Sequence, residues 1–297
     1  MGDHGDGVVK PQVDEVLGLV EVAAREDGVG PLSEQSLLLL RTGRARSLAR
    51  REGGVLVGYA HLDPAIEEES AAGELVVHPD HRRRGHGREL LRALLREAAG
   101  PLRVWAHGDL PAAAALAASE GFERVRALFQ MRRPFEGLPE LPEPVLPEGV
   151  SIRTFEVGRD EGAWLEVNRR AFADHPEQGA WTLDDVRARE SEPWFDPAGL
   201  FLAERDGRVV GFHWTKVHPD GLGEVYVVGV HPDAQGLGLG RVLTLVGLLH
   251  LRDRGAPVVL LYVDESNRAA VRLYESLGFT RYAVDVMYGA RPATAER

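Results

Sequence analysis

The chain repeats itself, and the repeat limits what it can fold into more than any other feature. ELVVHPDHRRRGHGRELLRALL at 74–95 and YVVGVHPDAQGLGLGRVLTLVGLL at 226–249 share one order: an apolar run, His-Pro-Asp, a glycine-rich turn and a helical pattern. His231 follows His78, and Gly240 follows Gly87, by the same 153 residues. EGFERV at 120–125 and LGFTRY at 277–282 lie 157 apart, so the second copy holds four more residues between its motifs. A repeat of this length is a domain written twice. At 297 residues the chain is long enough for two domains, each with its own core. The expected division is an N-terminal domain over 1–135, a linker over 136–149 and a C-terminal domain over 150–297. From Arg133 to Gly149 the sequence RPFEGLPELPEPVLPEG breaks helix and strand alike and reads as a semi-rigid linker.

Each copy reads as α/β with a mixed sheet. In the second, Gly199–Arg205 and Val209–Lys216 form a hairpin about Asp206-Gly207, and Gly223–Val230 is the next strand. A helix is expected over Leu237–Leu251, a buried strand over Val258–Val263, and a helix over Asn267–Leu277 stopped by Gly278. The first copy gives strand Gly54–Leu62, strand Gly73–Val77, helix Gly87–Ala99, strand Leu102–Ala106 and helix Pro111–Glu120.

Composition removes several chemistries. There is no Cys, so disulfides, thiolate metal sites, iron–sulfur ligation and a cysteine nucleophile are excluded. The net charge of −11 opposes nucleic-acid binding, and no apolar run has the ~18 residues of a membrane span. A polar, acidic N-terminus without a signal-peptide core completes the expectation of a soluble, cytoplasmic protein, taken as a monomer. Lysine occurs only at Lys10 and Lys216, the latter in an otherwise apolar stretch.

The turn Gln235-Gly236-Leu237-Gly238-Leu239-Gly240-Arg241 joins a strand to a helix N-terminus. Unpaired backbone N–H groups and the helix dipole make that place suitable for phosphate, and glycines let an anion approach closely. The dinucleotide fingerprint does not fit, for want of a repeating βαβ order, and the phosphate-loop pattern lacks its Gly-Lys-Ser/Thr. A bland strand–helix connection is the alternative, and its recurrence in both copies weighs against it.

Gln235, Gly238 and Gly240, followed by Asn267, Ala270, Tyr274, Gly278 and Phe279, resemble the motifs of the GNAT family of N-acetyltransferases. Arg82, Gly85, Gly87, Gly121 and Phe122 repeat part of that pattern. The resemblance implies two tandem GNAT domains with acetyl-CoA as co-substrate. It places the pyrophosphate on Gly236, Leu237, Gly238, Leu239, Gly240 and Arg241 and the pantetheine arm on Val228, Gly229 and Val230. Further cofactor contacts are implied at Arg268, Ala269, Ala270, Val271 and Arg272. In the first copy the matching positions are Leu75, Val76, Val77, Arg83, Arg84, Gly85, His86, Gly87 and Arg88. Longer phrases, AFADHPEQGAW at 171–181, WFDPAGLFLAE at 194–204 and LLYVDESNRAAVRLYESLGF at 260–279, are similar to a tandem branch of the family. That likeness implies acetylation of the cysteinyl amine of a cysteine–glucosamine–inositol conjugate, a pseudodisaccharide thiol. It also implies acceptor contacts at Glu34, Glu177, Lys216, Glu224 and Tyr262, with the acceptor between the domains.

Comparing copies separates binding from chemistry. At the constant offsets Glu224 falls on Ala71, Tyr274 on Ala117 and Asn267 on Leu110. Thioester-to-amine transfer needs a bound donor, a base for the ammonium proton and an acid for the leaving thiolate. Only the second copy keeps polar groups for the last two, Glu224 as base and Tyr274 as acid, so the first is expected to bind acetyl-CoA or nothing and not to turn over. The plain alternatives are a solvated strand Glu, a core Tyr with its hydroxyl at the rim, and a snorkelling Lys216. His78 and His81 stand beside Arg82–Arg84, which disfavours a cation, and His213 and His218 read as hydrogen-bonding residues. No metal is assigned, and the Arg82–Arg84 run is expected to face nucleotide phosphates. Rival functions are acetylation of an aminoglycoside or a peptide N-terminus, and a non-catalytic acyl-CoA sensor.

Overall fold

A computed structural model describes residues 11–63, 70–98, 100–173 and 176–290, the side chains of Pro176 and Glu177 excepted. The chain forms two compact units, and these depart from the contiguous division expected. The first takes 1–128 together with 283–297, and the second takes 129–282.

The first unit opens with α1 (Val13–Asp27) and α2 (Glu34–Arg41), the latter capped by the Ser33 hydroxyl accepting from Ser36 N–H. Then come β1 (Arg46–Glu52), β2 (Val55–Asp63), β3 (Ala71–Val77), α3 (His86–Glu97), β4 (Leu102–Ala106), α4 (Pro111–Ser119) and β5 (Phe122–Pro134). Hairpin pairing joins β1, β2 and β3, and β4 lies parallel beside β3. Its core packs Leu90, Leu91 and Leu94 of α3 against Ala60, Leu62, Ala71, Leu102 and Val104.

The second unit continues with β6 (Val150–Thr154), α5 (Glu161–Ala171), the short α6 (Pro176–Gly179), α7 (Leu183–Glu190), β7 (Leu200–Arg205), β8 (Arg208–Val217), β9 (Gly223–Val230), α8 (Leu239–Asp253), β10 (Val258–Asp264), α9 (Arg268–Ser276) and β11 (Thr280–Ala290). Here β6 to β9 run antiparallel in order, and β10 is parallel to β9. Among the described residues no helix is long and apolar enough to cross a membrane.

The division differs from the expected one because β5 and β11 each pass from one unit into the other. β5 begins in the first unit and finishes, from Phe129, in the second, and Val286–Gly289 of β11 pair with β4 of the first. Prolines mark where helix and strand stop, but they do not say which sheet a strand joins. Arg133 and Pro134, read as linker, end β5, and the buried Arg133 guanidinium donates to the carbonyls of Leu277, Pro134 and Pro139.

The repeat holds down to single contacts. Gly58 and Gly211, 153 apart, each leave room for a leucine of the following helix. A Cβ at either would stand 2.9 Å from Leu90 or Leu243, themselves 153 apart. One irregularity separates the copies. Along β8 and β9 the register slips so that Trp214 faces Val227 and Thr215 faces Val225, which makes Tyr226 a β-bulge, whereas β2 and β3 pair without a slip from Gly58↔Val77 to Asp63↔Ala72. Lys216↔Glu224 therefore corresponds to Asp63↔Ala72. The counterpart of Glu224 is Ala72, not the Ala71 given by a constant offset, and the contrast of a carboxylate with a methyl group stands.

Candidate functional site

The glycine-rich turn of the second unit is built by two left-handed residues, Gly236 (φ 81°) and Gly238 (φ 77°), the latter capping α8. Arg241 and Val242 N–H donate to Gly238 C=O. Among the described residues, the N–H groups from Gly236 to Gly240 have no backbone partner. Five such donors at a helix N-terminus form a cradle for an anion. Leu239 is buried by its side chain and meets a ligand only through its backbone, while nothing lies within 4 Å of where a Cβ on Gly240 would stand.

Beside the turn the sheet opens. β9 and β10 pair only over Gly223↔Val259, Glu224↔Leu260 and Val225↔Leu261. Beyond Val225 the two strands run on, to Val230 and Asp264, without a shared register. The bulge at Tyr226 sits where they part, and bulges bend and twist a strand. The β9 edge at Val228, Gly229 and Val230 thus lines an opening that leads to the turn.

Glu224 lies at the closed end of this opening and is buried. Its Oε2 stands 2.6 Å from His218 Nε2, while Oε1 has no hydrogen-bond partner among the described residues. Across the strand pair Lys216 is buried too, its Nζ 4.4 Å from the ring centre of Trp194 and 5.2 Å from that of Tyr226, so it does not snorkel. The aromatic wall extends through Trp164, Trp181, Phe212 and Trp214. Arg189 stacks over Trp181 at 3.6 Å and donates to the Tyr226 hydroxyl at 2.7 Å. Sequence reasoning missed Arg189, Trp194 and Tyr226; their signal was the crowding of four of the chain's five Trp into 164–214.

Tyr274 on α9 is buried, packed edge-on against Phe279 at 5.8 Å, and burial pushes its hydroxyl up to about 12. That hydroxyl has no hydrogen-bond partner among the described residues and keeps its proton at neutral pH. Tyr262 is exposed on β10 and takes a hydrogen bond from Gln130. Asn267 uses its side-chain oxygen to cap α9 through Ala270 N–H. Arg268, Val271 and Arg272, farther along α9, line a surface depression with Phe129 and Arg281, and Arg241 donates to the Ser276 hydroxyl. Ala269 and Ala270 lie on the first turn of α9. Glu177 lies in α6 with its side chain outside the described residues, and Glu34 begins α2 of the first unit.

The first unit keeps the turn and closes the opening. Arg83 (φ 63°) and Gly85 (φ 93°) occupy the two left-handed positions, so Arg83 adopts a conformation that its counterpart Gly236 takes without strain. The basic residues are spoken for. Arg82 makes a two-pronged pair with Asp27 at 2.7 and 2.8 Å, Arg84 reaches Asp80 C=O and Glu52, and Arg88 reaches Glu120. The expected row of three guanidiniums facing phosphate is not there: Arg82 braces α1, leaving Arg83 exposed. Gly87 packs where a Cβ would stand 3.2 Å from Leu116. Leu75, Val76 and Val77 continue β3 beyond its last β4 pairing, Gly73↔Val104.

Just past that pairing, Glu74 Oε1 meets His107 Nε2 at 3.3 Å, and His107 Nδ1 meets Asp285 Oδ2 at 3.0 Å. Ser33 N–H donates to Glu74 and Gly108 N–H to Asp285. Burial alone would lower the His107 pKa, but the two carboxylates outweigh it and raise it to about 10. Burial likewise works against Glu74 ionisation, and the bonds from His107 and Ser33 overcome it and hold its pKa down. Where the second unit is open, the first is bridged by a buried carboxylate–imidazolium–carboxylate cluster. Glu74 was visible as an acid leading an apolar strand; its partners, 33 and 211 residues away, were not.

A second cluster joins Glu52, His81 and His86 within 4.8 Å. Glu52 bridges the two imidazoles, at 2.8 Å to His81 and 2.9 Å to His86. Arg50 points a donor at His86 Nδ1 and Arg84 sits on Glu52. A coordinating imidazole donates its outer N–H to an acceptor, and here that nitrogen faces a guanidinium, so the arrangement is suited to an ion cluster.

The acetyltransferase (GNAT) family model matches residues 18–122 and again 164–279. The chain is 73% identical over 287 residues to the mycothiol acetyltransferase of Thermomonospora curvata, covering 97% of this chain and 96% of that one. It is 61% identical to the Thermobispora bispora protein of the same name (93% and 95% covered), and 56% identical to that of Streptomyces coelicolor (93% and 91%). Among solved structures it resembles a tandem GNAT protein from the clavulanic acid biosynthesis pathway, with TM-score 0.71, 23% identity and 95% and 96% coverage. It also resembles a GCN5-related N-acetyltransferase from Sphaerobacter thermophilus, with TM-score 0.69, 23% identity and 95% coverage of each; at such identities the likeness speaks for the fold alone.

Proposed function

The chain belongs to the acetyltransferase (GNAT) family, as a tandem, acetyl-CoA-dependent N-acetyltransferase, and from that premise we propose that its second unit completes mycothiol. The acceptor is the cysteinyl amine of the cysteine–glucosamine–inositol conjugate, and the products are mycothiol and CoA. The observation that carries the site assignment is the strand opening with a buried, half-unpartnered Glu224 at its closed end and an unpaired N–H cradle at its mouth.

In this reading Gly236–Gly240 hold the pyrophosphate through backbone N–H groups, and Val228–Val230 hold the pantetheine arm along the free β9 edge, which delivers the thioester toward Glu224. Glu224 Oε1 takes a proton from the acceptor ammonium, the freed amine attacks the thioester carbon, the C–S bond breaks with its electron pair on sulfur, and the second proton of the new amide nitrogen ends on the departing thiolate, giving the amide and CoA. Tyr274 donates a hydrogen bond to the departing thiolate. A hydroxyl raised to about 12 is a reluctant acid, so its part is to stabilise the thiolate through a held hydrogen as the bond breaks. Lys216, Glu177 and Tyr262 contribute acceptor contacts. No covalent enzyme intermediate is needed, which suits a chain with no Cys.

The deciding experiment is acetyl transfer by the purified protein to the cysteinyl–glucosaminyl–inositol conjugate beside a panel of aminoglycosides and peptides. Turnover on the conjugate exceeding all others supports the reading; preference for an aminoglycoside or peptide overturns the acceptor, and binding without any turnover overturns the chemistry.

A further inference from the structure

Glu224 is one half of a pair. His218, six residues earlier, closes a tight turn in which its N–H donates to Leu222 C=O and its C=O accepts from Gly221, with Gly221 at φ 86°. This pins the imidazole with Nε2 2.6 Å from Glu224 Oε2. At that separation one hydrogen lies between the two atoms, and an ionised carboxylate can only accept, so Nε2 is the donor. We infer that His218 is a positioning residue for acetyl transfer, fixing one oxygen of Glu224 and so turning the other toward the acceptor amine. The inference rests on Glu224 being the base.

The pair meets a need of geometry. A carboxylate with both oxygens free turns about its last bond, and fixing one oxygen fixes the other, which costs the transition state no ordering. Among the described residues, these other groups stand beside the pair. Lys216 is Glu224's partner on β8, with its ammonium against Trp194 and Tyr226; Asp220 sits in the turn, accepting from Leu222 N–H; and the β10 neighbour, Leu260, carries no charge. The proton taken by Oε1 from the ammonium leaves a pair with one proton more than it began with. The His218 side chain is 29% exposed against 9% for Glu224, so the ring is the pair's contact with water.

The test is a double-mutant cycle with the conjugate and acetyl-CoA. His218→Phe removes the donor; it is expected to lower kcat about 10-fold and to leave KM for acetyl-CoA unchanged. His218→Gln keeps an N–H at the same reach and is expected to recover most of the rate. Glu224→Gln is expected to lose about 100-fold, and adding His218→Phe to it to cost nothing more. Independent, multiplying losses in the double variant overturn the inference, as does a His218→Phe enzyme with wild-type kcat. Near-normal turnover in Glu224→Gln instead sinks the base assignment itself, so the two failures are told apart.

Discussion

Both units place an ionisable cluster where their central parallel strands part, and they use it in opposite ways. In the first, Glu74, His107 and Asp285 satisfy one another across the gap. In the second, Glu224 is satisfied on one oxygen only, and the strands ahead of it stay apart. A buried charge that is fully partnered holds a structure together, and one with a lone pair left over can do chemistry. The same contrast runs through the buried histidines. His107 is kept charged by two acids. His213 is kept neutral: burial lowers its pKa to about 4, against a pull upward from the bond between Nδ1 and Leu243 C=O.

The sharpest way to break the comparison is through rate. Glu224→Gln and Tyr274→Phe are each expected to lower kcat about 100-fold or more with acetyl-CoA binding retained, measured by steady-state assay and calorimetry. Ala72→Glu in the first unit is expected to restore nothing when combined with Glu224→Gln, because Glu74 and His107 still bridge its opening. Near-normal turnover in both single variants would erase the distinction between the units.

Stability against pH is the next largest effect, and its sign differs between units. The folded pKa of His213 lies below its unfolded value near 6.5, so its contribution is present above pH 6.5 and is lost as pH falls toward 4, a loss of roughly 3 kcal/mol to the second unit. The folded pKa of His107 lies above its unfolded value, so its contribution is full below pH 6.5 and is lost as pH rises toward 10. Proteolysis at a series of pH values, with cleavage sites mapped by mass spectrometry, should show the second unit yielding first in acid and the first in base. The same unit yielding at both ends would refute the assignment of these two rings.

A packing exchange comes third. His213 leaves no space for a side chain at Gly247, since a Cβ there would fall 2.1 Å from its ring, whereas the first unit fills the equivalent space with Ala60 and Leu94. Gly247→Ala is expected to destabilise by about 1–3 kcal/mol through overpacking. His213→Ala with Gly247→Leu, the first unit's solution, should recover most of it, which thermal melts can check. The smallest effect is expected at the first unit's turn. Bulky residues at Gly85 and Gly87 should change kcat less than about twofold, because the groups proposed for the chemistry all belong to the second unit.

Much of this was legible. Period-2 and period-3.6 patterns placed β9 at Gly223–Val230 and α8, α9, α3 and α4 to within two residues, since each is an amphipathic or buried run with a glycine or proline at its edge. The glycine turn proposed to hold phosphate was readable because left-handed backbone leaves glycines behind. What stayed hidden depends on register and on distance along the chain. The bulge at Tyr226 moved the counterpart of Glu224 by one residue, and the sequence of β9 carries no mark of it. The Arg82 pair with Asp27, 55 residues away, turned an expected phosphate ligand into a brace, and the bond from His218 to Glu224 joins residues whose spacing alone says nothing.

The crossing of β5 and β11 between units has a consequence for how the protein is made. The second unit is a single uninterrupted segment, so it is complete once Tyr282 has left the ribosome. The first, though begun earlier, lacks the strand beside β4 and one acid of its buried cluster until Asp285 and Val286–Gly289 have been made, after the whole of the second unit. Synthesis order and completion order are thus reversed. A chain stopped at residue 135 is an unfinished sheet with an exposed strand edge, the kind of surface that chaperones shield and that aggregates when they do not.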